Sequence, residues 1–160
     1  MKRVAAVITE FRHNSHAEVI VGRLLGELDY HPSVKVVSMY TDQVPDNDMS
    51  RELANKNGVV ICDTIEEAVT FGAPGNPVDG VVIIGEHGDY PWNEKNQRLY
   101  PRRRLVEQTL QAMDKANLRV PLFCDKHFSY NNSDAIWMYN QIQQRELPFL
   151  GGSSVPYTLP

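Results

Sequence analysis

Short apolar runs alternate with amphipathic stretches along the whole chain, and this alternation predicts alternating strands and helices. The apolar runs are rich in β-branched residues, as buried parallel strands are, and they lie at 4–8, 34–40, 59–62, 78–84, 120–124 and 149–150. Between them, apolar residues recur at helical spacing, which predicts helices over 17–28, 49–57, 65–71, 105–116 and 134–144.

Polar residues at the predicted helix starts agree with these boundaries. Asn14 or Ser15 is suited to cap the first helix, and Thr64 with Glu67 three residues later has the spacing of a capping box. Pro101 suits the first position of a helix. The pattern therefore predicts the α/β class: a three-layer, doubly wound, Rossmann-like domain with a mostly parallel sheet and right-handed crossovers. We expect the strand order 3-2-1-4-5-6, with the flavodoxin-like order as the alternative.

The length of 160 residues suits one domain. We expect it over 1–152, with 153–160 as a C-terminal tail that begins a second domain. The composition is 42% hydrophobic and 22% charged with a formal net charge of −4, which disfavours nucleic acid and anionic membranes as partners. No apolar run approaches the roughly 18 residues of a membrane helix, and no signal peptide is indicated, so a cytoplasmic protein is expected. Cys62 and Cys124 lie in apolar runs without CxxC spacing, so both are predicted to be reduced core residues.

Three of the predicted strands end in bursts of polar residues. These are Thr9 to His16, Gly85 to Tyr90, and Asp125 to His127. The carboxyl ends of parallel strands share one edge of the sheet, and ligands bind at that edge. The three bursts are therefore expected to form one site. With Trp92 just beyond the second burst, its carboxylate, imidazole, phenol and indole groups suit hydrogen bonding and stacking with a sugar, or acid–base chemistry by histidine.

The order of segments resembles a known family. Residues 34–42, 49–59, 64–69 and 78–83 follow one another as in the N-terminal nucleotide-binding domain of the Gfo/Idh/MocA oxidoreductases, the group of glucose-fructose oxidoreductase and inositol dehydrogenase. Asp125-Lys126-His127, followed by a helix with Asp134-Ala135, stands where that family has Glu-Lys-Pro before a similar helix. His16 resembles the family's histidine before the first helix. The resemblance covers most of the chain.

The resemblance implies NAD or NADP as cofactor and a sugar, a cyclitol or a related carbinol as substrate. It also implies that Lys126 lies near the reacting hydroxyl and that a C-terminal β-sheet domain closes over the substrate. Lys126 would hold the oxygen or act as a base if burial lowers its pKa; the alternative is a salt bridge with a neighbouring acid. The predicted catalytic residues are Lys126, His127 and His87.

The predicted cofactor residues come from four strand ends. Asp42 lies near the position where an acidic residue of the family would hold the adenosine ribose, although Thr41 aligns with that position more closely. In full they are Thr9, Glu10, Arg12, His13, Asn14, His16, Thr41, Asp42, Gly85, Glu86 and Asp125. The predicted substrate residues follow the fourth strand and begin the next helix: Asp89, Tyr90, Trp92, Asn93 and Arg102.

One departure from the family concerns the glycine-rich turn. Its three glycines fall on Ile8, Glu10 and His13 here, which all carry side chains where backbone must approach pyrophosphate. Arg12 and His13 at a helix start suit an anion of another shape. The loop alternatively serves only to cap the helix.

The roles of two further sets of residues stay open. Glu86, His87, Asp89 and His127 would suit a divalent metal if their loops converge, although no zinc or calcium spacing is present, and no metal is predicted. The run 102–104 places three arginines in the first turn of a helix, where the dipole disfavours cations. They are expected to pair with Glu86, Asp89 or Glu94, or to bind an anionic ligand.

The sequence therefore predicts an NAD(P)-dependent dehydrogenase domain that acts on a sugar- or cyclitol-like carbinol. The alternative is a Rossmann-like domain that has lost dinucleotide binding and binds a polar ligand or divalent metal, or serves assembly. The expected partner is a small polar ligand or sugar-like substrate, and a homo-oligomer is left open.

Overall fold

The computed structural model describes residues 1–152, and within them six parallel strands form one sheet in the order β3-β2-β1-β4-β5-β6. This confirms the predicted Rossmann-like order. The strands are β1 Lys2–Ile8, β2 Val34–Thr41, β3 Val60–Cys62, β4 Gly80–Ile84, β5 Leu122–Cys124 and β6 Phe149–Gly151. The predicted tail, 153–160, lies outside the described residues.

The helices are α1 Ser50–Asn57, α2 Ile65–Val69, α3 Arg102–Lys115 and α4 Asn132–Gln144, and a π-helix spans Glu18–Gly22 after β1. The predicted helix over 17–28 is too long, because Gly26 and Leu28 have positive φ angles of 85° and 57° that end regular helix. Pro101 was expected at the first position of a helix. It instead precedes α3, which begins at Arg102. The capping box of Thr64 and Glu67 is confirmed.

Two hydrophobic layers cover the sheet, as the three-layer prediction requires. On one face α2, α3 and α4 pack over the sheet through residues such as Ile65, Leu105 and Met138. On the other face the segment of the π-helix and α1 contribute Val21 and Leu53. Cys62 and Cys124 are buried free thiols, as predicted. None of the helices in residues 1–152 has the length and apolar character needed to cross a bilayer.

The register of the sheet brings the predicted polar bursts to one edge. Ile8 pairs with Thr41 on one side and with Ile84 on the other, and Ile83 pairs with Cys124. Four strands therefore end at the same level. We call this edge the rim; its loops begin at Thr9, Asp42, Gly85 and Asp125.

Candidate functional site at the sheet rim

The loops after β1 and β4 are joined directly. The buried Thr9 donates its hydroxyl hydrogen bond to the carbonyl of Glu86 at 2.5 Å, and its amide donates to the carbonyl of Ile84 at 3.0 Å. A longer contact of 3.4 Å joins Arg12 Nη2 to His87 Nδ1. Of the predicted rim residues, Thr9, Arg12, Glu86 and His87 are therefore brought together.

Side chains occupy the turn where glycines of a dinucleotide site would stand. The Glu10 side chain is only 9% exposed, and its Oε1 accepts from Arg12 Nε at 2.5 Å. A pyrophosphate would meet this carboxylate and not bare backbone amides, and the Arg12 Nε that would attract it is already paired. These residues do not fit a dinucleotide held in the standard way.

At the end of β2, both carboxylate oxygens of Asp42 accept hydrogen bonds from side chains of the protein. Its two oxygens accept hydrogen bonds of 2.6 Å each from Tyr40, Tyr90 and Arg104. Burial raises the pKa of this carboxyl, but the hydrogen bonds from Arg104, Tyr40 and Tyr90 outweigh it and lower the pKa overall. The oxygens expected near a ribose are thus engaged by side chains. The neighbouring Thr41 is buried, and its hydroxyl has no partner.

A second contact ties the loop after β4 to the loop after β2. Gln43 Nε2 donates to the Asp89 carbonyl at 3.0 Å, and the Asp89 amide donates to Gln43 Oε1 at 2.7 Å. Gly88 permits this approach of the two loops, because its φ is +109° and a Cβ there would lie 2.5 Å from the Tyr90 ring. His87 beside it has a φ of +70°. The loop from β4 therefore crosses the rim above β1, which lies between β2 and β4.

A histidine–carboxylate pair faces the middle of the rim. His16 Nδ1 lies 2.5 Å from Asp125 Oδ2, and the Asp125 side chain is 9% exposed while that of His16 is 24% exposed. An ionised carboxylate can only accept, so this bond fixes the proton on Nδ1 and leaves the Nε2 lone pair of a neutral His16 free. A base oriented by a buried carboxylate is suited to take a proton from a bound hydroxyl.

The His87 ring lies edge-on to His16, with centroids 4.9 Å apart. Burial, and then the nearby His16 and Arg12, lower the pKa of His87 below its ordinary 6.5. Its Nε2 is buried without a hydrogen-bond partner. His87 is therefore held neutral next to His16.

Glu86 lies between two cations. It forms an ion pair with Arg102, and its Oε1 lies 4.0 Å from Lys126 Nζ. The pairing of Arg102 with Glu86 was among the predicted possibilities and is confirmed. Gly85 allows it, because a Cβ at that position would lie 2.7 Å from Arg102 Cγ. The acid neighbour that was the alternative for Lys126 is therefore present, and its role at a reacting hydroxyl stays a prediction.

Other predicted residues lie at the margins. His13 is exposed and pairs with Glu18 at 2.9 Å, and the Asn14 amide donates to the same carboxylate at 2.6 Å. Trp92 is 60% exposed and stacks on Arg98, whereas Asn93 bonds within its own loop to Gln97. A cleft of about 360 Å³ opens beside the rim; it is lined by Glu86, Gln97, Arg98, Tyr100, Arg102, His127, Ser129 and Tyr130.

Several contacts of the site were not predicted from the sequence. Arg104 reaches Asp42, 62 residues away, and Gln43 pairs with Asp89 across 46 residues. Nothing in the local spacing marks either pair. Within 1–152, no group of three or more His, Cys, Asp or Glu side chains is placed to hold a metal ion.

Known structures share this fold over nearly the whole chain. Biliverdin reductase from Synechocystis sp. PCC 6803, solved with biliverdin and NADP+, is 13% identical with a TM-score of 0.57, and the match covers 93% of this chain and 37% of that one. The dehydrogenase MviM from Clostridium difficile is 11% identical with a TM-score of 0.61, and the shares are 94% and 39%. These neighbours are Gfo/Idh/MocA-type oxidoreductases, and what this chain shares with them is the Rossmann-like α/β fold.

A third neighbour is the UDP-N-acetylglucosamine 3-dehydrogenase GnnA from Acidithiobacillus ferrooxidans, 15% identical with a TM-score of 0.55, over 92% of this chain and 36% of that one. This chain thus spans little more than a third of the length of these neighbours. At such identities the likeness shows the fold alone. No protein-family model matches the sequence, and a comparison with curated proteins gives no significant match.

Proposed function

We propose that the rim binds a sugar- or cyclitol-like carbinol and that His16, oriented by Asp125, takes the proton of its hydroxyl. The 2.5 Å contact between His16 Nδ1 and Asp125 Oδ2 carries this proposal. Lys126 supports it, because this residue follows Asp125 and its side chain is 30% exposed beside Glu86. A lysine there would hold the oxygen of the same hydroxyl.

The chemistry assigned to these residues is a proton transfer. The Nε2 lone pair of neutral His16 accepts the hydroxyl proton, and the Asp125 carboxylate stabilises the imidazolium that results. Lys126 donates a hydrogen bond to the oxygen as negative charge develops on it. Asp125 acts here as a positioning residue, since it reaches the substrate only through His16.

Binding of a neutral probe tests this proposal. We would titrate ¹⁵N-labelled protein with myo-inositol and with glucose, and follow the backbone amides of Thr9, Gly85 and Asp125. Saturable shifts at these amides are expected, weakened by about tenfold or more in His16→Ala. His13→Ala is the matched control, because His13 is exposed and pairs outside the cluster.

Equal weakening by both substitutions, or no shift at the rim with either probe up to high millimolar concentration, would overturn the proposal. A conservative substitution separates the roles further. If His16 only fills space, the affinity of the His16→Gln variant for either probe should equal that of the unmodified protein.

Oxidation of the carbinol by NAD or NADP is the second candidate. The shared fold favours it, since biliverdin reductase was solved with NADP+. The cofactor would supply hydride transfer when bound. The Glu10–Arg12 pair and the saturated Asp42 speak against the standard pose, so no step is assigned through it.

A further inference from the structure

The cleft beside the rim is lined by an arginine whose surroundings are unusual. Arg102 is buried, with 7% of its surface exposed, and its Nε has no hydrogen-bond partner. One terminal nitrogen pairs with Glu86. An unpaired polar group at this depth costs free energy unless a ligand or water completes it.

The start of α3 strengthens the positive character of the cleft. Arg102 is the first residue of this 14-residue helix, its first turn has no acidic residue, and Pro101 provides no side-chain cap. The positive end of the helix dipole thus lies beside a guanidinium, an arrangement that disfavours the helix by itself and favours an anion nearby.

Cationic side chains around the cleft also outnumber the carboxylates that are shielded from solvent. Arg98 and Arg102 line it, and Lys126 lies 4.0 Å from the lining residue Glu86. The carboxylates that face them are Glu86, which two of these cations share, and Asp89, whose side chain is fully exposed at 100%. Solvent screens Asp89 strongly, so it neutralises little of the charge.

We infer that this cleft binds the carboxylate of a small polyhydroxy acid. Arg102 and Arg98, which both line the cleft, would hold the carboxylate, since charge-assisted hydrogen bonds to a guanidinium are strong and directional. The hydroxyls of Tyr100 and Ser129, which also line the cleft, suit the neighbouring hydroxyl groups of the ligand. This inference rests on the proposed function and narrows its substrate class from a neutral carbinol to a hydroxy acid.

A pair of probes that differ only at C1 tests the inference. Gluconate and glucitol have the same hydroxyl groups on C2 to C6, and gluconate carries a carboxylate where glucitol has a hydroxymethyl group. Isothermal titration calorimetry of the unmodified protein should give gluconate a Kd at least about tenfold below that of glucitol. The difference should shrink as salt is raised.

Arg102→Gln should remove that difference, and Arg98→Gln, which spares the buried ion pair with Glu86, should reduce it. Arg103→Gln is the matched control: Arg103 lies in the same turn but pairs with Asp134 at 2.6 Å and stacks on Trp137, away from the cleft. It should bind gluconate as the unmodified protein does. Circular dichroism shows whether each variant is folded. If Arg102→Gln does not fold, the affinities of Arg98→Gln for the two probes decide whether the cleft binds the carboxylate.

The outcomes separate this inference from the function on which it rests. Equal affinity for both probes, or equal losses in Arg98→Gln and Arg103→Gln, would overturn the carboxylate site and leave the carbinol site standing. Binding of neither probe would overturn both.

Discussion

The hydroxyl of Tyr90 donates a 2.6 Å hydrogen bond to Asp42 Oδ2. Tyr90 belongs to the loop after β4 and Asp42 to the end of β2, so the bond spans the strand β1 that lies between them. It closes the rim at the position where the sequence had suggested a ribose. Asp42 is consequently a structural anchor for two loops in this arrangement.

Tyr90→Phe should destabilise the fold. Losing the donor leaves Asp42 with two partners in place of three and removes a charge-assisted hydrogen bond, which is worth about 1.5–3 kcal/mol. Urea unfolding followed by circular dichroism measures the change. Tyr139→Phe is the control, since Tyr139 is 51% exposed on α4. Equal stability of the two variants would show that the Tyr90–Asp42 bond does not hold the loops together.

Gly88→Ala should also lower the free energy of unfolding, by about 1–3 kcal/mol. The φ of +109° is unfavourable for alanine, and the added Cβ would lie 2.5 Å from Tyr90. Gly75→Ala provides the comparison, because no atom lies within 4 Å of a Cβ there. Thermal unfolding of both variants decides the point; a Gly88→Ala protein as stable as Gly75→Ala would argue that the loop crosses the rim differently.

The pKa of His87 predicts a pH dependence of stability. Burial, with the nearby His16 and Arg12, lowers this pKa below 6.5. As pH falls below 6.5, the unfolded chain therefore binds a proton at this residue before the folded chain does, and stability decreases with falling pH. An NMR titration of the ring protons should give a midpoint below 6.5, and His87→Gln should flatten this part of the stability profile. A midpoint at or above 6.5 would contradict the burial of a neutral ring.

Both thiols should react slowly in the native protein. Burial raises the pKa of Cys124, and burial together with Glu67 and Asp63 raises that of Cys62, so little thiolate is present at either site. Ellman's reagent should modify neither cysteine quickly until denaturant is added. Rapid modification of one thiol under native conditions would place it outside the core.

The sequence predicts those features that depend on periodicity. Apolar runs of β-branched residues predicted the strands, and their alternation with helices predicted a doubly wound sheet, of which the Rossmann-like order was one of two alternatives. The polar residues after Ile8, Ile84 and Cys124 predicted the rim, because parallel strands end on one edge. Local chemistry also predicted the capping box at Thr64. The first helix was predicted too long because the apolar stripe continues past Gly26, whose backbone conformation ends it.

Contacts between distant loops could not be predicted. Which of three consecutive arginines meets which acid depends on how α3 is rotated: Arg102 reaches Glu86, Arg103 reaches Asp134, and Arg104 reaches Asp42. The sequence shows the charges and not this rotation. For the same reason it indicated that Glu10 replaces a glycine without revealing that Arg12 neutralises it.

Calorimetric titration of the folded chain with NADPH and NADH tests the central claim most directly, namely that side chains of the rim itself occupy the standard dinucleotide position. The account predicts no saturable binding at micromolar concentrations, in the unmodified protein or in Lys126→Ala, because the Glu10–Arg12 pair and the saturated Asp42 hold that position. Glu10→Gly shows whether the carboxylate alone is the obstacle. Saturable micromolar binding to the unmodified chain would contradict the account and select the NAD(P)-dependent oxidoreductase.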